Sequence, residues 1–255
     1  ASWALGLPEC AERALRAVDF LVGKVAGGAS LCHYYPSMNS GHRQENGAGT
    51  PAGLSDHALV VGALADAYGY TSQQRYLDEA ERLAGVMMQT FWDAKGSGFF
   101  DIPEDAGAQG NLKLRDKPLG DNSQAAEALM KLHYATQKAE WREAAGATLS
   151  ALARVYKDYG EFAAGYALEV QRFLYPPIEA TVVGRAGAPE TMALASAVVN
   201  LPYPHKALAV VDPGNRVRLE AAGYAADTTP LAYVCLDTVC LAPIGDPEKL
   251  TTTVT

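Results

Sequence analysis

The sequence predicts a mainly α protein, with helical hairpins of an incomplete α/α toroid over residues 1–174 and a small α/β unit over residues 175–255. Three observations carry this reading. Residues recur at a fixed offset of 65, apolar positions follow the helical period, and the pattern changes after Tyr175-Pro176-Pro177.

The repeat is specific. Ala63-Leu64, Thr71, Tyr76 and Ala80 match Ala128-Leu129, Thr136, Trp141 and Ala145, and a partial third copy pairs Ala11-Glu12-Arg13 with Ala80-Glu81-Arg82 at an offset of 69. Repeats of this kind mark stacked supersecondary units. Each copy reads as a helix, a polar turn and a return helix. Leu59, Ala63, Ala67 and Tyr70, with Val60, Leu64 and Tyr68 beside them, predict a buried face. The turn Thr71-Ser72-Gln73-Gln74 offers side chains that bond their own backbone. Tyr76 to Trp92 then reads as the return helix, with Leu77, Ala80, Leu83, Val86, Met87 and Phe91 inward. The same grammar gives helices over Ser123 to Tyr134, Ala139 to Tyr159 and Phe162 to Leu174.

Two long Gly-rich connections, Gly27 to Gly53 and Gly96 to Gly120, each open on a short aromatic strand, Leu31 to Tyr35 and Phe99 to Asp101. Connections of this length in a compact domain are usually functional or disordered, rarely mere connectors. Beyond Pro177, Ile178 to Val183 and Lys206 to Val211 read as strands around a helix starting at Pro189, a βαβ unit. Leu231 to Cys235 and Val239 to Leu241 read as a hairpin.

Composition narrows the function. The net charge is -8; the residues before Leu174 carry 16 basic against 21 acidic side chains and those after it 5 against 8, so neither part suits a nucleic-acid partner. The apolar run Ala58 to Ala65 ends at Asp66, far short of the roughly 20 residues a membrane crossing needs. No membrane association is expected, and a cytoplasmic, soluble location is the default. The cysteines are Cys10, Cys32, Cys235 and Cys240, with no C-x-x-C and no Cys/His cluster, so no metal or other cofactor is expected. Cys235 and Cys240 flank the short turn and could face each other across the hairpin, with reduced core thiols the preferred reading over a disulfide.

Three stretches together resemble a known family. They are Phe91-Trp92-Asp93-Ala94-Lys95-Gly96-Ser97-Gly98-Phe99-Phe100-Asp101, Gly120-Asp121-Asn122-Ser123-Gln124-Ala125-Ala126, and Ala232-Tyr233-Val234-Cys235 followed by Cys240. In order along the chain, they look like the C-terminal part of the thioredoxin-domain-containing family related to spermatogenesis-associated thioredoxin-like proteins. The resemblance implies a toroid similar to six-hairpin glycosidases and N-acylglucosamine 2-epimerases, preceded in the family by a thioredoxin-like domain that has no counterpart here. It implies a fragment or a shortened relative, and a sugar ligand at the toroid mouth. Family members show Asp-Tyr-Ala where this chain has Asp56-His57-Ala58.

Candidate site residues cluster at two helix starts. Ser55 or Asp56 would cap the first, and His57 could face the mouth as acid or base, because an imidazole exchanges protons near neutral pH. Asp121 and Asn122 open the next copy, with Gln124 and Glu127 one turn in. Asp56, His57 and Asp121 are the catalytic candidates; Asn122, Gln124 and Glu127 offer polar contacts to sugar hydroxyls. Tyr34, Tyr35, Phe99 and Phe100 could floor a pyranose ring, against the alternative of core packing. A glycosidase needs two carboxylates, for which Asp56, Asp101, Asp116, Asp121 and Glu127 are available. An epimerase would call on a His pair; of His33, His42, His57, His133 and His205, only His33 and His57 lie near the mouth. The alternative to a sugar enzyme, hydrolase-like or epimerase-like, is a non-catalytic scaffold whose open helical array packs on missing hairpins, the absent N-terminal domain or another protein partner.

Overall fold

The computed structural model describes residues 2–24, 31–34, 50–203, 205–225, 229–236 and 239–254. Tyr35 and His42 lie outside them, as do most of the first Gly-rich connection and the turn residues 237–238. The chain is mostly helical with one small sheet. Two compact units divide it: one comprises Ala1–Arg16, Asp66–Gln74 and Leu174–Thr255, the other Ala17–Ala65 and Arg75–Phe173.

The repeat is obeyed by the helix boundaries. Helix α1 (Ser2–Leu5) and α2 (Pro8–Lys24) precede it; α3 (Leu54–Thr71) and α4 (Gln74–Phe91) form one copy, and α5 (Leu119–Thr136) and α6 (Ala139–Leu152) the next. Both first helices start and stop 65 residues apart because their ends are built alike. Thr71 Oγ1 donates to the Ala67 carbonyl at 2.7 Å and accepts the Gln73 N–H at 3.2 Å. Thr136 repeats both bonds with Leu132 and Lys138, at 2.7 and 3.2 Å. The next residue turns left-handed in each copy, Ser72 at φ 56° and Gln137 at φ 59°. Its N–H returns to the residue four before it, Tyr68 or His133, at 2.7 Å. This is a helix C-terminal turn made without glycine, which non-glycine residues adopt only when the surrounding bonds hold them.

Burial corrects the expected α3 face. Leu64, Ala67 and Tyr68 are buried, but Leu59 is 57% exposed, because α3 is apolar on nearly every side and its period cannot single out one stripe. In α4, Leu77, Ala80, Leu83, Met87 and Phe91 are buried as the period predicts, Tyr76 and Ala84 are buried as well, and Val86 is only half-buried. Helix α6 ends seven residues before the predicted Tyr159. A 3-10 stretch, Tyr156–Ala163, follows, broken at Gly160 (φ 54°), and α7 runs over Ala164–Leu174. Tyr166 ties α7 to α6 by donating to the Leu149 carbonyl at 2.8 Å. The predicted aromatic strands are single bridges, Cys32 to Pro51 and Trp92 to Phe99, too short for a ladder.

The other unit carries the sheet, in order β2-β1-β3-β4. Strands β1 (Ile178–Val183) and β2 (Lys206–Val211) are parallel, joined by helix α8 (Pro189–Val199); β3 (Leu231–Leu236) runs antiparallel to β1, and β4 (Val239–Cys240) to β3. Ile178, Ala180 and Val182 share one face with Leu194, Ala195, Val198 and Val210, covered also by Leu250 and Val254 of helix α10 (Pro247–Val254). Val183 and Val211 pack with Leu219 of helix α9 (Arg216–Ala222). This alternation is what period-2 side chains require. Gly184 ends β1 where a Cβ would stand 2.4 Å from Thr191 Oγ1, so no larger residue fits without rearrangement. Trp3 and the end of α3 belong to the same unit: Trp3 stacks on Tyr70 at 5.1 Å, and Ser72 donates to the Val210 carbonyl while accepting from Arg218 at 3.0 Å.

Cys235 and Cys240 form a disulfide, which corrects the expectation of reduced thiols. They are directly opposed in the β3–β4 ladder, a register that brings both sulfurs together. Cys10 and Cys32 are free thiols.

Candidate functional site

Two equivalent helix starts build the site. The residue before each first helix, Gly53 or Pro118, offers a carbonyl to the side chain four positions on. His57 fills this position in one copy and Asn122 in the other, so the two candidates are the same structural residue 65 apart. The preceding residue is an aspartate in both, Asp56 and Asp121.

His57 is fully buried. Its Nδ1 lies 2.9 Å from the Gly53 carbonyl, which can only accept, so Nδ1 carries the proton. Its ring meets Phe91 edge-on at 5.1 Å, and Nε2 is buried without a hydrogen-bond partner among the described residues. Burial pushes the imidazole below its ordinary pKa, with Arg82 adding to this, against the opposing Gly53 bond and Asp56 charge. A neutral ring with its donor committed is placed as a packing residue.

Asn122 is equally buried and holds a loop. Its Oδ1 accepts the Phe99 N–H at 2.7 Å, and its Nδ2 donates to the carbonyls of Phe99 at 2.9 Å and Pro118 at 3.0 Å. Both amide protons are thus spent within the protein. Phe99 is itself buried, edge-on to Trp92 at 5.1 Å, and is core rather than a stacking floor. Phe100 is half-buried with the Arg115 guanidinium 4.0 Å and the Lys117 ammonium 5.0 Å from its ring centre. Lys117 also bonds Asp93 at 2.7 Å and the Ser97 carbonyl at 2.6 Å. That ammonium, helped by the Lys95 and Gly96 N–H groups, draws the Asp93 carboxyl down to about 2. Tyr34 is 48% exposed.

The pinned loop delivers a third carboxylate. Asp101 takes the Leu54 N–H of α3 on its carbonyl at 2.9 Å, and its Oδ1 accepts the N–H groups of Ile102 and Asp116, each at 2.9 Å. Asp56 accepts the Gly53 N–H at 2.9 Å, the returning half of a capping box, and meets His33 Nδ1 at 2.8 Å. The expected cap is therefore supplied by Asp56. Helix α5 has no side-chain cap, because Asn122 points to the loop and Pro118 precedes the helix. Asp121 sits near enough to Asp101 and Asp56 to feel both: burial first, then these two charges, raise its carboxyl above the ordinary range. Asp121 thus lies within electrostatic reach of Asp101 and Asp56, and His33 bonds Asp56.

Glu127 belongs to another group. Six residues along α5 from Asp121, about 9 Å at helical rise, it pairs with Lys131 and Arg172, each at 3.3 Å. Arg172 also holds Glu169 at 2.7 Å. Burial, opposed by Arg172 and reinforced by Glu127, pushes Glu169 up to about 7. Gln124 lies between the two groups, its Oε1 buried without a hydrogen-bond partner among the described residues. The sequence reading missed Glu169, Arg115 and Lys117. The Arg115-Asp116-Lys117 charge run just before a helix was the one available signal. Among the described residues no group of three His, Cys, Asp or Glu side chains is arranged to hold a metal, and no helix is long and apolar enough to cross a membrane.

No family model matches the chain. It is similar to spermatogenesis-associated protein 20 of Homo sapiens, 28% identical over 211 residues, and to the proteins of that name from Mus musculus and Rattus norvegicus, each 26% identical. The matches cover 77% of this chain and 26% of each relative, so the chain spans about a quarter of the length of the curated relatives it matches. This similarity supports the family link suggested by the motifs.

Two expectations follow. Asn122→Ala strips the buried Phe99 peptide of both partners and lowers stability by about 1–3 kcal/mol, read by urea denaturation, with faster amide exchange at Phe99. The second concerns pH. A carboxyl raised in the folded state binds its proton more tightly there than in the unfolded chain, so stability falls as pH rises from the ordinary carboxylate range through the folded value. Asp121→Asn removes that fall: urea midpoints of variant and parent coincide most closely at acid pH and separate, variant higher, as pH rises.

Proposed function

We propose that this chain acts on carbohydrate by carboxylate acid–base chemistry at the Asp56–Asp101–Asp121 cluster, in the manner of a glycoside hydrolase. The carrying observation is the environment of Asp121. It is a carboxyl kept above its usual range beside two further carboxylates that reach it from separate segments. Paired carboxylates of unlike proton affinity are what glycosidic cleavage uses, one giving a proton to the leaving oxygen and the other serving as base or nucleophile. In this reading Asp121 is the proton donor, and Asp56 or Asp101 the partner. Tyr34 and Phe100 provide aromatic surface for a sugar ring. The toroid architecture implied by the motif resemblance supports the substrate class. An epimerase-like His pair is less well supported, because His57 is buried and its proton is spent on Gly53.

The test is a broad oligosaccharide panel against the full chain, read by calorimetry for binding and by reducing-end release for turnover. Binding and hydrolysis of at least one class is expected. Asp121→Asn should retain binding and lose about 10²- to 10⁴-fold in rate, the usual worth of a positioned general acid. No binding or reaction across the panel, or an Asp121→Asn variant as fast as the parent, rejects the proposal.

A second reading, an interaction module, draws on one feature. The 3-10 stretch and its approach expose Val155, Tyr159 and Phe162, the last at 81%. Exposed apolar clusters favour association. Light scattering should show concentration-dependent self-association or capture of a partner that Phe162→Ser abolishes. A monomer at every concentration, unchanged in partner binding by Phe162→Ser, removes this reading.

A further inference from the structure

We infer that the Cys235–Cys240 disulfide is a thiol–disulfide exchange site, reversibly reduced by a dithiol while the protein stays folded. This goes beyond the carbohydrate reading and does not rest on it.

Placement comes first. The bridge lies in a two-pair ladder, Cys235 with Cys240 and Leu236 with Val239, where β4 forms one end of the strand order. Cys240 and Val239 are exposed and Cys235 half-buried, so an incoming thiolate can reach the Cys240 sulfur from solvent.

The fold has little need of the bond. A disulfide stabilises chiefly by restricting the unfolded chain, an effect that grows with the loop closed, and this one joins residues only five apart. Other bonds hold the same region. Ala232 and Ile244 exchange N–H to carbonyl bonds at 2.8 and 3.0 Å, and the Leu241 N–H reaches the Val234 carbonyl at 2.9 Å. Strand β3 is secured along six residue pairs with β1. Reduction therefore leaves the hairpin anchored on both sides. The bond is accessible and dispensable to the fold, a combination that suits a reversible pair better than a staple.

The chemistry closes in two displacements. One thiolate of the dithiol attacks Cys240 Sγ, the Cys235–Cys240 bond breaks, and Cys235 leaves as thiolate. The second thiolate then attacks the dithiol sulfur of the mixed disulfide, and Cys240 leaves. The dithiol is oxidised to its disulfide, the protein gains two electrons, and the two protons of the dithiol end on Cys235 and Cys240. The reverse sequence passes oxidising equivalents to the next dithiol.

The test uses the full chain carrying Cys10→Ser and Cys32→Ser, so that every titrated thiol comes from the bridge. Treated with dithiothreitol well below the melting transition, it should release two thiols per chain, with circular dichroism and amide exchange of β1–β3 unchanged. Oxidised glutathione should restore the bridge. In the same background Cys235→Ser should form a mixed disulfide at Cys240 with oxidised glutathione, detected by mass. Thiols released only in denaturant, or reduction that unfolds the sheet, would make the bond a staple and overturn the inference. So would a Cys240 thiol that stays unmodified in the folded Cys235→Ser variant.

Discussion

The candidate site depends on one buried contact, the Asn122 carboxamide on the Phe99 peptide. A peptide group buried without partners is costly, and here a single side chain satisfies both its N–H and its carbonyl. That grip fixes the loop between α4 and α5. Asp101, two residues beyond Phe99, is then held by its own bonds to Leu54, Ile102 and Asp116. The loop is thereby tied to the start of α3, and Asp121 on α5 feels the charges of both Asp101 and Asp56. Burial first, and these two neighbouring charges second, raise the affinity of Asp121 for its proton.

The internal repeat gives the arrangement its logic. Asp56 and Asp121 occupy one position in two copies, yet their neighbours have diverged. His57 uses the position to bond only the preceding carbonyl, whereas Asn122 bonds that carbonyl and a distant loop as well. One copy has a capping aspartate, held by Gly53 and His33; the other has an uncapped helix start whose aspartate feels two like charges. Equivalent backbone frames thus place their two aspartates in different surroundings.

Much of this was legible in the residues. The 65-residue offset paired α5 with α3 and set Thr71 opposite Thr136, although the second-copy helix read from Ser123 to Tyr134 falls short of the observed Leu119–Thr136 at both ends. The helix starts also drew attention to Asp56 and Asp121. Which way their neighbours point was not legible. His57 reads as a mouth residue by position, but burial beside Phe91 depends on packing that no spacing encodes. Leu59 matched the apolar period and is nevertheless exposed, since an almost uniformly apolar helix has no distinctive face. The Cys235–Cys240 pairing required strand register, which a hairpin turn alone does not specify. Glu169 was invisible because its proton affinity arises from burial and from Glu127, 42 positions away.

The division of the chain into units has a consequence for its biosynthesis. Residues 1–16 and 66–74 belong with residues 174–255, while the stretches between them belong to the other unit. On the ribosome, the first segment emerges long before the strands with which it is grouped, and the helical unit has all its residues available sooner. The sheet-bearing unit must wait for the last residues of this sequence. No single cut of the polypeptide separates the two units, and residues trimmed from either end of this sequence come first from the sheet-bearing unit.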